Sequence, residues 1–154
     1  MIQYCKKCLF PVTKPDLQFD EQGVCSACNY FNVRPQIDWD KRYQELIKIV
    51  EKYKNTSTSN WDCIVPGSGG KDSTVQALRA REIGFNPLIV TATTCDLSDV
   101  GRRNIDNIKN LGFDCIEVSP SKIIRRKLNK IGLTEVGDIS WPEHVGIFTI
   151  PIRI

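Results

Sequence analysis

The chain has 154 residues, no long hydrophobic run, and only one histidine and one methionine. Its longest apolar stretches are short and are interrupted by proline, threonine or charge, which excludes a transmembrane helix. The first residues, Met-Ile-Gln-Tyr-Cys-Lys-Lys, lack the hydrophobic core of a signal peptide. Positive and negative side chains are nearly balanced, and the formal net charge of +3 does not by itself indicate a nucleic-acid surface. We therefore expect a cytoplasmic globular protein with no membrane or nucleic-acid partner, whose seven cysteines stay reduced.

The cysteines of the first 33 residues form two close pairs, Cys5–Cys8 and Cys25–Cys28, with sixteen residues between the pairs. Each C-x-x-C places two thiolates on one tight turn, and two such turns complete a tetrahedral four-sulfur site for Zn²⁺. The intervening stretch is rich in turn-forming residues and suits a small β-hairpin. This spacing predicts a structural zinc ribbon, with an iron–sulfur cluster as the alternative occupant.

A helical and linking segment follows the ribbon. Residues 38 to 54 have an amphipathic pattern that Asp38 can cap, and the polar run from Asn55 to Asn60 then interrupts it. We expect a zinc ribbon over residues 1–33, a helix and linker over 34–60, and the main domain over 61–154.

The main domain alternates strand and helix patterns. Strands are predicted at Asp62–Val65, Leu88–Ala92 and Cys115–Val118, each followed by a helix. The second helix is expected to be capped by Ser98, to bury Ile105, Ile108 and Leu111, and to end at Gly112. The third is expected to be capped by Ser121, to bury Ile124, Leu128 and Ile131, and to end at Gly132. Three successive β–α units predict an α/β fold with a parallel sheet covered on both faces. The end, Trp141 to Ile154, fits helix or strand, and we favour helix.

A glycine-rich stretch, Gly67–Ser73, lies between the first strand and its helix. There, backbone N–H groups and the positive end of the helix dipole can converge on an anion, with Lys71 adding a charge. A Walker A loop would need glycine at Val65, and Asp72 stands where a dinucleotide fingerprint needs its third glycine. What remains resembles the Ser-Gly-Gly-Lys-Asp-Ser signature of the PP-loop ATP pyrophosphatases. That resemblance implies cleavage of ATP between its α and β phosphates and an adenine nucleotide alpha hydrolase-like sheet.

Several further stretches resemble the N-terminal part of the N-acetyl sugar amidotransferases of bacterial surface-polysaccharide (lipopolysaccharide) synthesis. With the loop they cover the whole chain: Tyr4–Cys8, Gly23–Cys28, Pro66–Ser73, Val90–Cys95, Gly101–Asn104 and Gly137–His144. In that family the acetamido group of a nucleotide-linked sugar becomes an acetamidino group. ATP adenylylates the amide oxygen, and ammonia then displaces AMP.

The resemblance also implies roles for particular residues. The phosphate-binding set, with Mg²⁺, would be Ser68, Gly69, Gly70, Lys71, Asp72 and Ser73, of which Lys71 and Asp72 would serve catalysis. Thr91, Thr93 and Thr94 would lie near the nucleotide. A loop close to the sugar or to ATP would contain Asp138, Trp141, Glu143 and His144.

The implied partners are a glutaminase subunit that supplies ammonia and a cyclase-like subunit. Members of the family are more than twice as long, and the chain stops within an apolar segment, so we expect a truncated form with an incomplete sheet. Such a form would bind ATP weakly and would not turn over the sugar alone.

Two other functions fit parts of the sequence. A PP-loop tRNA thiolation enzyme would need an activated cysteine, for which Cys95 at a strand end is better placed than Cys63 or Cys115, which lie within apolar strands. A zinc-ribbon binding module with a non-catalytic PP-loop remnant is the second. Loss of ATP binding on Lys71→Ala would separate a working site from a remnant.

Overall fold

The computed structural model describes residues 2–93 and 97–154. Its helices are α1 to α6 and its strands β1 to β3, with one 3₁₀ turn and one π-helical turn between them. In chain order they are α1 Ser26–Val33, the 3₁₀ turn Arg34–Gln36, α2 Trp39–Tyr53, β1 Cys63–Pro66, α3 Lys71–Glu82, β2 Pro87–Ala92, α4 Asp99–Asn110, β3 Cys115–Val118, α5 Lys122–Ile131, the π turn Gly132–Val136, and α6 Trp141–Arg153.

Spatial contacts divide the chain into two compact units, with the boundary between Glu45 and Leu46. This boundary falls inside α2, whose start is capped by the Asp38 carboxylate accepting from the Lys41 amide at 2.9 Å. The domain bounds expected from the sequence stay a prediction.

The first unit is built from turns around the cysteines. Two isolated antiparallel bridges, Tyr4 with Pro11 and Phe19 with Cys25, replace the regular hairpin that the sequence suggested. The Asp20 carboxylate accepts from the amides of Gln22 and Val24 and fixes the turn before Cys25. Helix α1 begins directly after Cys25, a helix that the sequence analysis did not predict.

The second unit contains a parallel three-stranded sheet in the order β1–β2–β3. Val65 pairs with Ile89, and Ile89 pairs with Cys115, so these three side chains point to one face. Ala77 of α3 and Ile108 of α4 pack on that face and complete the core. The mixed α/β class with a parallel sheet is confirmed.

Helix α6 lies on the other face of the sheet, against β1 and β2. Ile154 adjoins Ile64, Leu88 and Ile116, which all alternate away from the Val65 face. Helices therefore lie on both faces of the sheet, although Ile64 on the α6 side is exposed, and the preference for helix after Trp141 is confirmed.

The second predicted helix is largely correct. The Ser98 hydroxyl accepts from the amide of Gly101 at the start of α4, and Ile105 and Ile108 are buried. Leu111, expected to be inward, is 41% exposed because it lies past the last helical residue.

The third predicted helix needs correction. Ile124 and Ile131 are exposed, and the buried position on α5 belongs to Arg125. Ser121 makes no side-chain cap, and the chain does not leave the helix at Gly132. It continues through the π turn to Gly137, whose left-handed φ of 76° ends it. Arg125 is the buried residue of α5 because its guanidinium lies 3.2 Å from the Glu143 carboxylate, and this ion pair joins α5 to α6.

No helix among the described residues is both long and apolar enough to cross a membrane.

We expect Ile89→Ala to lower the free energy of unfolding by about 2–5 kcal/mol, because Ile89 is fully buried at the centre of the sheet. Urea denaturation followed by circular dichroism measures the change. Ile123→Ala is the matched control: Ile123 is 70% exposed on α5, and its truncation should change the value by less than about 0.5 kcal/mol. Equal effects of the two substitutions would contradict the placement of the core.

Candidate functional site

The glycine-rich loop joins β1 to α3 at the carboxyl edge of the sheet. Gly70 is the N-cap of α3, and helical residues begin at Lys71. The amides of Lys71, Asp72 and Ser73 therefore precede the first intrahelical bond, which runs from the Thr74 amide to the Gly70 carbonyl at 3.0 Å. Such amides, together with the helix dipole, favour a bound anion.

Gly69 is required by a close backbone approach. Its φ is +75°, and a Cβ built there would lie 2.1 Å from the carbonyl oxygen of Asn104 in α4. No side chain fits such a gap, and the left-handed backbone adds strain for any other residue. The loop is thus held against the backbone of α4.

Side-chain hydroxyls fix both ends of the loop. The Thr91 hydroxyl of β2 donates to the carbonyl of Gly67 at 2.5 Å, and the amide of Gly67 donates to the carbonyl of Val90 at 3.0 Å. At the other end, the Ser73 hydroxyl donates to the carbonyl of Gly70 at 3.2 Å. The loop is anchored to the sheet and to its own helix.

A cavity of about 600 Å³ opens beside this loop. Seven residues that the sequence analysis assigned to the nucleotide line it together: Ser68, Gly70, Lys71, Asp72, Ser73, Thr91 and Thr93. Gly69 belongs to the loop but faces α4 instead of the cavity. Thr94 lies outside the described residues.

Part of the cavity wall is apolar and was not predicted as site. It consists of Val90 and Ala92 from β2, Leu97, Ile105 from α4 and Ile147 from α6. The strand positions follow from the register, because residues at the carboxyl end of β2 must border the loop. Ile147 lies 80 positions beyond Gly67, and no local sequence signal connects the two.

Charge at the cavity is carried by Lys71 and Asp72, whose side chains are exposed. Arg102 of α4 pairs with Glu117 at 2.8 Å. The Lys109 ammonium contacts the same carboxylate at 2.7 Å. The hydrogen bond from Lys109 is the main cause that lowers the pKa of Glu117, and both cations are thereby engaged by one carboxylate.

The four residues expected close to the sugar or to ATP, Asp138, Trp141, Glu143 and His144, do not line the cavity. The Asp138 carboxylate accepts from the amide and hydroxyl of Ser140, which organises the turn before α6. His144 is exposed, and Trp141 is 41% exposed.

Glu143 is mostly enclosed between α5 and α6. The Asn129 side chain donates to its carboxylate at 2.8 and 3.0 Å, and Arg125 forms the ion pair described above. Burial works against the charge of Glu143, but the hydrogen bonds from Asn129 and the nearby charge of Arg125 outweigh it and lower the pKa of the carboxyl. In this arrangement Glu143 joins two helices.

Burial disfavours the thiolate form of the two described cysteines in the sheet. Burial raises the pKa of Cys63, and Asp62 beside it adds to the effect. Burial likewise raises the pKa of Cys115. Neither is activated for sulfur transfer. Cys95, the better-placed candidate on sequence grounds, lies outside the described residues.

The four cysteines of the first unit come together as predicted. The sulfur atoms of Cys5, Cys8, Cys25 and Cys28 all lie within 4.8 Å of one another. The Cys5–Cys28 and Cys8–Cys25 sulfur pairs are 4.0 and 3.6 Å apart. Tetrahedral zinc with Zn–S bonds of ~2.3 Å separates its sulfurs by ~3.8 Å. This geometry could hold a metal such as zinc, and it is tighter than a cluster of several irons would require.

Electrostatics favour a cation among these thiols. Burial opposes ionisation of Cys5, yet hydrogen bonds from backbone N–H groups lower its pKa to about 6. Two of these donors are the amides of Cys25 at 3.3 Å and Lys7 at 3.4 Å. The contact with Cys8 and burial raise the pKa of Cys28 to about 12. Four adjacent thiolates cannot coexist without a compensating positive charge, which a divalent ion supplies.

Comparisons with known proteins give little support for a family. No protein-family model and no curated protein matches this chain. Among solved structures, it is similar to one described as a predicted subunit of tRNA methyltransferase from Methanocaldococcus jannaschii, at 23% identity. The match covers 48% of this chain and 37% of that chain, with a TM-score of 0.36, which is too low to carry an argument about function.

We expect Gly69→Ala to destabilise the protein by at least about 1–3 kcal/mol, the cost of a left-handed non-glycine residue, with the clash at Asn104 in addition. Urea unfolding measures the change. Gly70→Ala is the control, because the nearest atom to its added Cβ is 3.7 Å away and its φ is −70°. An unaltered midpoint for Gly69→Ala would contradict the close approach of the loop to α4.

We expect the purified chain to retain one zinc ion through extensive dialysis, and Cys25→Ser to lose it, because three thiolates leave the tetrahedron open. Mass spectrometry of the metal content gives the stoichiometry. Cys63→Ser, in β1 and outside the cluster, is the control and should keep its ion. Iron with acid-labile sulfide in the wild-type protein would reject a single-ion site.

Proposed function

We propose that the cavity beside the Gly67–Ser73 loop binds ATP and that the protein belongs to an AMP-forming class of PP-loop enzymes. One observation carries the proposal: the loop amides at the start of α3, Lys71 and the hydroxyl-bearing strand end of β2 all border one cavity. A volume of about 600 Å³ lies in the range that suits a small-molecule ligand.

The two kinds of lining suit the two parts of a nucleotide. The loop side offers free amides and the Lys71 ammonium to phosphates, since Lys71 forms no ion pair with another described residue. Apolar residues of the lining that are exposed, Leu97 and Ile147 among them, offer surface to a flat base. This polarity supports a nucleotide more than free phosphate or a purely apolar ligand.

The proposed reaction breaks the α–β phosphate bond. A carbonyl oxygen of the second substrate attacks the α-phosphorus, and pyrophosphate leaves with the developing negative charge. Loop amides and Lys71 would stabilise that charge in the transition state, which is the largest effect such a loop can supply. The exposed Asp72 carboxylate is the residue that would hold Mg²⁺, which supplies further charge neutralisation of the phosphates. A nitrogen nucleophile then displaces AMP.

For the second substrate we propose the acetamido group of a nucleotide-linked sugar, with ammonia from a glutaminase subunit as nucleophile and a cyclase-like subunit as further partner. The support is the resemblance of the chain to N-acetyl sugar amidotransferases. Of the residues that the resemblance implicates, Trp141 and His144 are accessible to a ligand, whereas Glu143 is held by α5. Among the described residues, the raised pKa values of Cys63 and Cys115 do not favour tRNA thiolation.

We expect Lys71→Ala to weaken MgATP binding by roughly 10- to 100-fold, the loss of a charged hydrogen bond worth about 1.5–3 kcal/mol. Isothermal titration calorimetry measures the affinity. Lys127→Ala is the control, because Lys127 is exposed on α5 and does not line the cavity. Equal MgATP affinity for wild type and Lys71→Ala would refute the site and leave a non-catalytic remnant.

The nucleotide product tests the reaction class separately. With an ammonium salt and a nucleotide-linked N-acetyl sugar, we expect ATP cleavage by this chain to give AMP and pyrophosphate in chromatography and ³¹P NMR. Turnover to the amidine would contradict the expectation that this chain does not act on the sugar alone. Release of ADP and phosphate instead would rule out an AMP-forming mechanism.

A further inference from the structure

Thr91 makes a contact that changes its expected role. In a regular parallel ladder, the carbonyl of Gly67 would accept from a backbone amide of β2. Here the amide of Gly67 still donates to the carbonyl of Val90, but its own carbonyl accepts from the Thr91 hydroxyl. The ladder therefore ends at Gly67 on a side-chain bond, and the chain turns into the loop from that point.

While it makes this contact, the Thr91 hydroxyl cannot donate a hydrogen bond to another group. A threonine hydroxyl has one proton to donate, and that of Thr91 is directed to Gly67. Its remaining lone pairs can only accept, and a phosphate oxygen without a proton offers nothing to accept from. Thr91 is also 97% enclosed, since its exposed fraction is 3%. The hydroxyl is thus committed to the loop backbone, although Thr91 borders the cavity.

The loop is tightly packed around the hydrogen bond between Thr91 and Gly67. A Cβ at Gly67 would lie 3.2 Å from Ile89 and 3.3 Å from Ser73, so the loop is tightly packed at this end. The Ser73 hydroxyl engages the carbonyl of Gly70 in the same manner. Two hydroxyls thus bind two loop carbonyls, which removes negatively polarised oxygens from the anion's surroundings and leaves amides to face it.

We propose that Thr91 is a positioning residue: its hydroxyl holds the Gly67 carbonyl and so orients the loop amides, without itself contacting phosphate. The nature of the anion rests on the proposed function, whereas the effect of Thr91 on the loop does not.

The test compares wild type, Thr91→Val and Thr91→Ser in the full chain. Valine keeps the shape of threonine without the hydroxyl, and serine keeps the hydroxyl. NMR hydrogen exchange without nucleotide follows the amide of Gly67, with the amide of Ile89, bonded to Asp114 at 2.9 Å, as internal control. Calorimetry measures the affinity for MgATP and for magnesium pyrophosphate.

We expect Thr91→Val to speed exchange at Gly67 about fivefold or more, to leave Ile89 unchanged, and to weaken both ligands by about five- to tenfold. Thr91→Ser should restore both properties. If exchange responds in this way while the wild type binds neither ligand, Thr91 positions the loop and the proposed function is wrong.

Three results overturn the inference. Unaltered exchange at Gly67 in Thr91→Val would show that the hydroxyl does not hold the loop. An affinity loss with unaltered exchange would make Thr91 a direct ligand of the phosphate. An equal rise at Gly67 and Ile89 would assign the hydroxyl to overall stability.

Discussion

The approach of Gly69 to the backbone of Asn104 is the constraint on which the site depends. It brings the loop after β1 against a helix that belongs to the next β–α unit, so two neighbouring units must pack correctly before the loop has its shape. The buried Ile105, next to Asn104, both packs in the interior and lines the cavity. The packing of α4 therefore contributes to both the core and the site, and a change that loosens α4 would also change the loop.

The two units are stabilised by different physical means. In the second unit, apolar residues of the sheet and its helices exclude water. In the first, the side chains that are buried among the described residues are those of Cys5 and Cys25. A segment of this size with so little apolar burial cannot offset its chain entropy by the hydrophobic effect alone. Metal binding supplies the missing free energy in such modules, which is why we expect removal of the ion to unfold the turns around the cysteines.

The sequence predicted well what depends on local pattern. The strand Cys115–Val118 and the cap at Ser98 follow from alternation and from hydrogen-bonding residue types, and both agree with the structure. The cysteine cluster could be predicted too, because C-x-x-C spacing specifies a geometry by itself.

Tertiary contacts could not be predicted in the same way. The sequence indicated that glycine was needed at Gly69, but not that the reason was the backbone of α4, 35 positions away. Apolar periodicity assigned Ile124 and Ile131 of α5 to the interior, because counting apolar residues cannot detect a charged partner on a later helix. Arg125 has that partner in Glu143 and is buried instead.

The ion pair between Arg125 and Glu143 determines how α6 lies against α5. Burying Arg125 with Glu143 costs desolvation, and a pair of apolar residues could stabilise the helix contact as well or better. Unlike an apolar contact, the ion pair is specific in orientation, because the guanidinium and the carboxylate determine which turn of α6 faces α5. Ile147, one turn beyond Glu143 on α6, is thereby held in the cavity wall. Glu143 can thus matter for ligand binding without touching a ligand, because it sets the position of the helix that encloses the site.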